Sequence, residues 1–304
     1  MSGAESAGNR NSQGPQEIAM AATCSQEAAK DARSRTGAGL AKLRRGPCSR
    51  AMSKRTDAPT DDPSLGSFDP ALHPPIAFPE ADWQWFVQRC AALGIAGPND
   101  HRTVLEALYG HMVGVNRWLN LTKLTEPREY LKLHVLDSLA LEGDSRVRHL
   151  AEGTPCVDLG SGGGYPGLPL AIWHPRIPWV MVDARQKKVE FLTAACRLTG
   201  NPHASARHLR GSEAAIKAND LRRRCQLVTC RAMGQAADVL QESATLLHKS
   251  GFCVIYKGPA FAGDEKAAAL VVCEKLGYRF VSERRVTLEE GDPERVMVIY
   301  QRII

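Results

Sequence analysis

The chain has 304 residues, 43% of them apolar and 24% charged, with a formal net charge of +6 at neutral pH. That length allows about two domains with a sizeable core, no apolar run approaches the ~18 residues of a membrane span, and the first residues do not read as a signal peptide. Nine cysteines without a Cys-x-x-Cys pair, and nine histidines without a His-Glu-x-x-His motif, argue against a metal site and for reduced thiols in a cytoplasmic setting.

Residues 1–78 read as a disordered basic extension, rich in Ser, Ala, Gly, Pro and Arg and without hydrophobic periodicity. Within it, residues 30–55 carry basic side chains opposed only by Asp31. That stretch is plain disorder, an RNA-contacting arm or a weak targeting segment, and Met52 is an alternative start of translation. An N-terminal helical section is expected over residues 79–150. Trp83, Phe86 and Val87 begin it, and Leu105, Leu108, Met112, Val115 and Leu119 then recur at steps of three and four as one apolar stripe. Asn120-Leu121-Thr122-Lys123 interrupts the pattern. Thr125 suits an N-cap, with Pro127 in the first turn, and the next helix buries Leu131, Val135, Leu139 and Leu141.

From residue 151 to 304 strands and helices alternate, which implies a mainly parallel sheet with right-handed crossovers. Strands are expected near 154–159, 178–183, 203–208, 226–230 and 251–257, and helices near 166–174, 185–199, 211–221 and 233–248. A helix over 263–276 leads to strands 278–286 and 294–302, joined by the turn Glu290-Gly291-Asp292. Those two form a hairpin, so the sheet ends in an antiparallel strand. Such an ending is common in class I methyltransferases, whereas dinucleotide folds usually finish with parallel strands.

The most informative segment is Val157-Asp158-Leu159-Gly160-Ser161-Gly162-Gly163-Gly164-Tyr165-Pro166. A strand breaks into glycines and leads into a helix, and the next apolar run ends in Asp183. That order describes the first unit of a nucleotide-binding α/β sheet. Gly160 and Gly162 allow a ligand close to the backbone, and Asp183 stands where a carboxylate accepts both hydrogen bonds of a ribose diol. In the dinucleotide fingerprint the third glycine falls at Tyr165. Asp158 is also unusual beside a diphosphate, since like charges in a partly dry site repel. Beside the sulfonium and ammonium groups of S-adenosylmethionine the same charge is attractive. These residues favour a methyl donor over NAD, the alternative for Asp158 being a cap on the turn's own amides.

Several segments together carry a family resemblance: Asn120-Leu121-Thr122-Lys123, His134-Val135-Leu136-Asp137-Ser138-Leu139, the run from Asp158 to Leu170, Cys230-Arg231-Ala232, Lys257-Gly258 and Glu294-Arg295. In this order, over residues 83–304, the chain resembles the RsmG (GidB) family. These are bacterial 16S ribosomal RNA methyltransferases of the class I, S-adenosylmethionine-dependent fold, acting on guanine ring nitrogen 7 in the decoding region. The resemblance implies donor binding by Gly160, Tyr165, the backbone at Gly211-Ser212, and Arg231, and rRNA contacts by Arg210 and Arg295. One departure is that the family usually has a small residue and then Glu after the arginine of the third strand, whereas this chain reads Arg210-Gly211-Ser212-Glu213.

The residues agree with that chemistry. Methylating a cytosine carbon needs a Cys nucleophile, for which Cys230 is the candidate unless it is a packing thiol. Methylating an exocyclic amine usually involves an Asn/Asp-Pro-Pro-aromatic loop, which Cys230-Arg231-Ala232-Met233 lacks. Guanine nitrogen 7 has an in-plane lone pair and no proton to remove, so positioning suffices and no general base is needed. In this reading Asp158 fixes the donor's amino end and Asp183 its ribose. Arg231 shapes the site, and Arg210 and Arg295 stand at its mouth. His134, Asp137 and Asn120 line the pocket floor, or form a polar network docking the helices on the sheet. Lys217, Arg222, Arg223 and Arg224, with Arg207, Arg210 and Arg231, form a basic stretch that is either a solvated turn or a set of phosphate contacts beside the site. The expected partner is 16S rRNA, the small subunit or its assembly intermediate, with neither membrane nor metal. The rivals are an NAD(P)-linked oxidoreductase and a non-catalytic RNA-binding factor on the same fold.

Overall fold

Strand β1 (Cys156–Leu159) is buried at every residue, which places it in the middle of a sheet covered on both faces. The computed structural model describes residues 62–304, apart from Gly211, Ser212, Ala214 and Ala215. Its sheet has seven strands in the order β3-β2-β1-β4-β5-β7-β6. β2 (Trp179–Asp183), β3 (Ser205–His208), β4 (Cys225–Arg231) and β5 (Leu247–Lys257) run parallel to β1. β7 (Arg295–Arg302) inserts antiparallel between β5 and β6 (Tyr278–Val286), with Tyr256 opposite Met297 and Arg284 also opposite Met297. The expected hairpin is therefore present, and the sheet is that of a class I methyltransferase.

Alternate residues of the strands feed two apolar layers, as the period of two requires. Met181, Leu227, Val254 and Ile299 point into one layer. There they meet α1 (Glu80–Leu93), α2 (Arg102–Leu119), α4 (Gly167–Trp173) and α5 (Gln186–Leu198). Val157, Val182, Val228 and Ile255 point into the other, against α6 (Ala236–Ser243) and α7 (Gly263–Lys275). The stripe on α2 is buried at Leu105, Leu108, Met112 and Val115, while Leu119 is only half-buried. The third helix, α3, starts with Pro127–Glu129, widens to a π-helix over Tyr130–Leu136 and returns to α over Asp137–Leu139. π-Segments of this kind concentrate at functional sites, and this one carries His134.

The described residues fall within one compact unit. The helical section shares its core with the sheet, since Trp83, Phe86, Tyr130 and Leu131 cluster with Trp179 and Phe191. Polar bonds reinforce the joint. Glu289, in the loop between β6 and β7, accepts from Trp85 Nε1 at 3.0 Å, Arg128 at 3.1 Å and Lys132 at 2.7 Å.

Four expectations are corrected. The extension does not run to residue 78: Phe78 and His73 are buried, and His73 packs so tightly on α2 that a Cβ at Gly114 would lie 2.2 Å from its ring. Glu126, not Thr125, is the N-cap position of α3, because the helix begins directly at Pro127. The helix expected over 233–248 stops at Ser243, since Leu247 pairs with Cys225 as the start of β5. Of the helix expected over 211–221, part lies outside the described residues, and residues 219–224 are turns. Among the described residues no helix is long and apolar enough to cross a membrane.

Phe86 is fully buried in the shared layer, so Phe86→Ala should cost about 3–5 kcal/mol. Denaturant unfolding followed by tryptophan fluorescence and by circular dichroism should show one earlier, common transition. Two separate transitions would mean that the helices fold as a unit of their own.

Candidate functional site

All five parallel strands end at one rim, where ligands of open α/β sheets bind. The turn after β1 is shaped by glycines in left-handed conformation, Gly160 at φ +64° and Gly162 at φ +59°. A Cβ on Gly160 would lie 2.6 Å from the Met233 sulfur, so the loops after β1 and β4 touch here. Over Gly162 the space is open, its nearest neighbour being Lys188 Nζ at 3.5 Å from a would-be Cβ.

Asp158 does not face that space. It is fully buried, and its carboxylate accepts hydrogen bonds from Ser161 Oγ at 2.5 Å, Gly167 N at 3.1 Å and Thr229 Oγ1 at 2.9 Å. Burial pushes its carboxyl up to about 6, against the pull of those donors. The expectation that Asp158 meets the donor's amino group is corrected: it caps the turn and ties β1, α4 and β4 together. A buried acid with three partners is held by them, and opening any bond would strand a desolvated group.

Asp183 closes β2. One carboxylate oxygen accepts from Gly162 N at 2.9 Å and the other from Arg185 N at 2.8 Å, and the residue keeps 7% of its surface exposed. Each oxygen retains a lone pair, so the acid both fixes the turn and is free to accept from a diol.

The tip of β4 carries the densest polar junction. Arg231 donates through Nη1 to the Leu133 carbonyl and to Asp137 Oδ2, both at 2.9 Å, and through Nη2 to His134 Nδ1 at 3.3 Å. Because a guanidinium only donates, Nδ1 of His134 accepts, and its Nε2 carries the proton that goes to Thr122 Oγ1 at 2.9 Å. Burial and then the charge of Arg231 push the imidazole down to about 3. It is neutral in the folded protein, with both nitrogens used. Its ring stacks on Tyr165 with centroids 4.2 Å apart and planes 5° from parallel, and the Arg231 guanidinium lies 5.4 Å from the Tyr165 ring centre. On the far side of Asp137, Arg295 Nε approaches Oδ1 to 3.5 Å, an ion pair longer than a hydrogen bond. Ala232, at φ +56°, holds the loop after Arg231 in a conformation that side chains rarely adopt. Lys257 clamps that loop through the Gly234 carbonyl at 2.9 Å and Glu265 at 2.5 Å.

The fold thus brings together Gly160, Gly162, Tyr165, Asp183, His134, Arg231 and Arg295. Arg210 follows β3 at the sheet edge and is exposed, and the structure gives it no contact with that group. Gly211 and Ser212 lie outside the described residues. Asn120 does not line the floor: it is the exposed left-handed cap of α2 at φ +52°. His134 and Asp137 belong to the network that docks α3 on the sheet. Cys230 is fully buried and burial pushes its thiol far up, which removes it as a nucleophile. Arg222, Arg223 and Arg224 precede β4 and so sit at the end of the sheet opposite the rim, not beside the turn. Arg207 is spent on Asp220, at 2.6 and 2.8 Å. Sequence reasoning missed the roles of Ser161 and Thr229, whose hydroxyls orient Asp158, and of Thr122, which meets His134. Their only signal is a small hydroxylated side chain within or just beyond an apolar run.

The neutral state of His134 has a pH signature. Its ordinary value is 6.5 and its folded value about 3, so the unfolded chain takes up the proton first as pH falls. Stability present above pH 6.5 is lost on acidification, by roughly 2 kcal/mol from this residue at pH 5. Urea midpoints at pH 7 and pH 5 should fall further for the wild type than for His134→Gln. Equal acid sensitivity of the two proteins would show that the buried histidine is charged.

Residues 102–285 match the family described as GidB, rRNA small subunit methyltransferase G. The ribosomal RNA small subunit methyltransferase G of Sorangium cellulosum is 33% identical over 207 residues, covering 68% of this chain and 84% of that protein. The protein of that name in Cupriavidus pinatubonensis is 33% identical over 224 residues, covering 70% and 90%. A third, from Lachnoclostridium phytofermentans, is 28% identical over 72% of this chain and 88% of its own length. The matched span includes the glycine turn, the Asp183 tip and the Arg231 junction, and the chain belongs to the GidB family of small-subunit rRNA methyltransferases.

Proposed function

We propose that this chain transfers the methyl group of S-adenosylmethionine to ring nitrogen 7 of a guanine in the decoding region of 16S rRNA, by positioning and without a general base. The acceptor is the rRNA itself, the small subunit or its assembly intermediate, in the cytoplasm. The observation that carries the chemical part is the state of the proton acceptors at the rim. His134 has both nitrogens engaged and stays neutral down to about pH 3. Asp158 is sealed under the turn, Asp137 is held by Arg231, and both oxygens of Asp183 already hold backbone amides. A nitrogen that has a lone pair and no proton needs none of them. Guanine rather than another base follows from the family resemblance.

The open left-handed turn at Gly162 and the spare lone pairs of Asp183 fit an adenosine-bearing donor. Gly160, Gly162 and Tyr165 would flank it and Asp183 would hold its ribose. When bound, S-adenosylmethionine supplies an electrophilic methyl group. Asp158 supports this only indirectly, by holding the turn in shape, so the choice over NAD rests on the antiparallel β7 and on family membership. Arg231, fixed by three acceptors, keeps Tyr165 and His134 stacked and forms a rigid wall for the target base, which must leave its stack to reach the site. Arg295 and Arg210 would meet the rRNA backbone.

The test is incubation of the protein with small ribosomal subunits and methyl-tritiated donor, followed by chain cleavage at 7-methylguanine. Label released at a single guanine is expected; label on an exocyclic amine, on adenine nitrogen 1 or on a pyrimidine carbon overturns the reading. Asp183→Ala should weaken donor binding roughly tenfold or more in calorimetry. Arg295→Ala should leave donor binding unchanged and weaken rRNA binding, with a log–log salt slope shallower by about one. Equal loss of donor affinity in both variants would refute this division of roles.

A further inference from the structure

We propose that the end of the sheet opposite the glycine turn is a second phosphate-binding surface, which holds a different backbone segment of the same rRNA substrate. The inference rests on the chain's membership among rRNA methyltransferases and concerns a surface remote from the donor site.

Arg222, Arg223 and Arg224 are consecutive and all exposed. Their turn is fixed by its backbone, Arg223 N donating to the Thr245 carbonyl at 3.0 Å and Arg224 N to the Leu221 carbonyl at 3.2 Å, so the side chains are left to solvent. The neighbouring acid, Asp220, is taken by Arg207. Arg102, Arg117, Arg128, Arg146 and Arg285 all sit in ion pairs, whereas among the described residues no carboxylate comes within ion-pair distance of Arg222, Arg223 or Arg224. Arg223 also holds φ +53°, a left-handed conformation costing about 1–2 kcal/mol for a side-chain-bearing residue. The backbone bonds hold that conformation, and the charge repulsion among the three side chains is offset by no ion pair among the described residues.

The strand register extends the charge. Leu247 pairs with Cys225, which puts exposed Lys249 at the same end of the sheet. Arg279 opens β6 opposite Gln301 and bonds that neutral amide at 2.6 Å. Beyond the first strands at that end, Arg197 lines an open groove of about 500 Å³ with Gly200, Asn201 and Ser205. A row of unpaired guanidinium groups on a fixed turn matches phosphates, which accept two parallel N–H bonds from each fork. β4 separates this surface from the rim by roughly 20 Å. A nucleotide loop entering the rim does not span that distance, whereas a folded ribosomal particle presents several backbone segments.

The test uses the full chain carrying Arg222→Gln, Arg223→Asn and Arg224→Gln together. Asn is chosen at 223 because it tolerates left-handed backbone, so folding is preserved. Methyl transfer is measured on small ribosomal subunits and on a short RNA holding only the target loop, across a salt series. On subunits the KM should rise about tenfold with kcat and donor affinity unchanged, and the log–log salt slope should flatten by about two to three. On the short RNA nothing should change. An unaltered KM and slope on subunits overturn the inference. So does an equal loss on both substrates, which would show long-range steering rather than contact. If the unmodified protein transfers no methyl group to either RNA, the proposed activity itself fails, which is a different result.

Discussion

Asp137 is the carboxylate on which the rest of the site is built. It lies nearly buried between two guanidinium groups, Arg231 from the sheet at 2.9 Å and Arg295 from the hairpin at 3.5 Å. Asp137 itself belongs to α3, so one anion joins the helical section, the parallel sheet and the antiparallel ending. Burying such a trio costs several kcal/mol in lost hydration, offset only by close geometry and further hydrogen bonds. Arg231 meets that condition through the Leu133 carbonyl and His134. The walls of the site and the joint between layers are therefore the same residues, and neither can move alone.

The two acids that end β1 and β2 divide the work of the glycine turn between them. Asp158 is wholly inside and holds the turn from below through Ser161, Gly167 and Thr229. No larger residue than glycine fits at 167, where a Cβ would lie 2.9 Å from the Asp158 carboxylate. Asp183 holds the turn from the side at Gly162 and keeps an exposed edge. The same residue type is thus sealed beneath the turn at one strand end and keeps an exposed edge at the next.

Neutrality of His134 follows from the same junction. An imidazolium beside Arg231 would place two positive charges in a desolvated corner, which costs far more than in water. Held neutral, the ring accepts from the arginine and stacks flat on Tyr165. The result is a rigid wall whose imidazole does not take up a proton near neutral pH. Positive charge is instead kept at the surfaces, some of it at the rim and some at the opposite end of the sheet, where no carboxylate among the described residues comes within ion-pair distance of Arg222, Arg223 or Arg224.

Much of the architecture was written locally. The apolar runs ending at Leu159 and Asp183, the glycines between them and the turn at Gly291 determine strand, crossover and hairpin, because hydrophobic period and backbone conformation depend on near neighbours. The stripe on α2 and the positions of Gly160, Asp183 and Arg231 at strand ends were legible for the same reason. What a side chain faces was not. Asp158 under the turn, Asn120 in solvent, the Ser243 stop of α6 and the arginine run at the far end of the sheet were decided by packing between segments distant in sequence. The direction of a carboxylate depends on which donors surround it, and for Asp158 one of them, Thr229, is 71 residues away. Sequence determined the elements and their order; only the tertiary structure decided which charges were buried, since burial is a property of the assembled layers and not of any one of them.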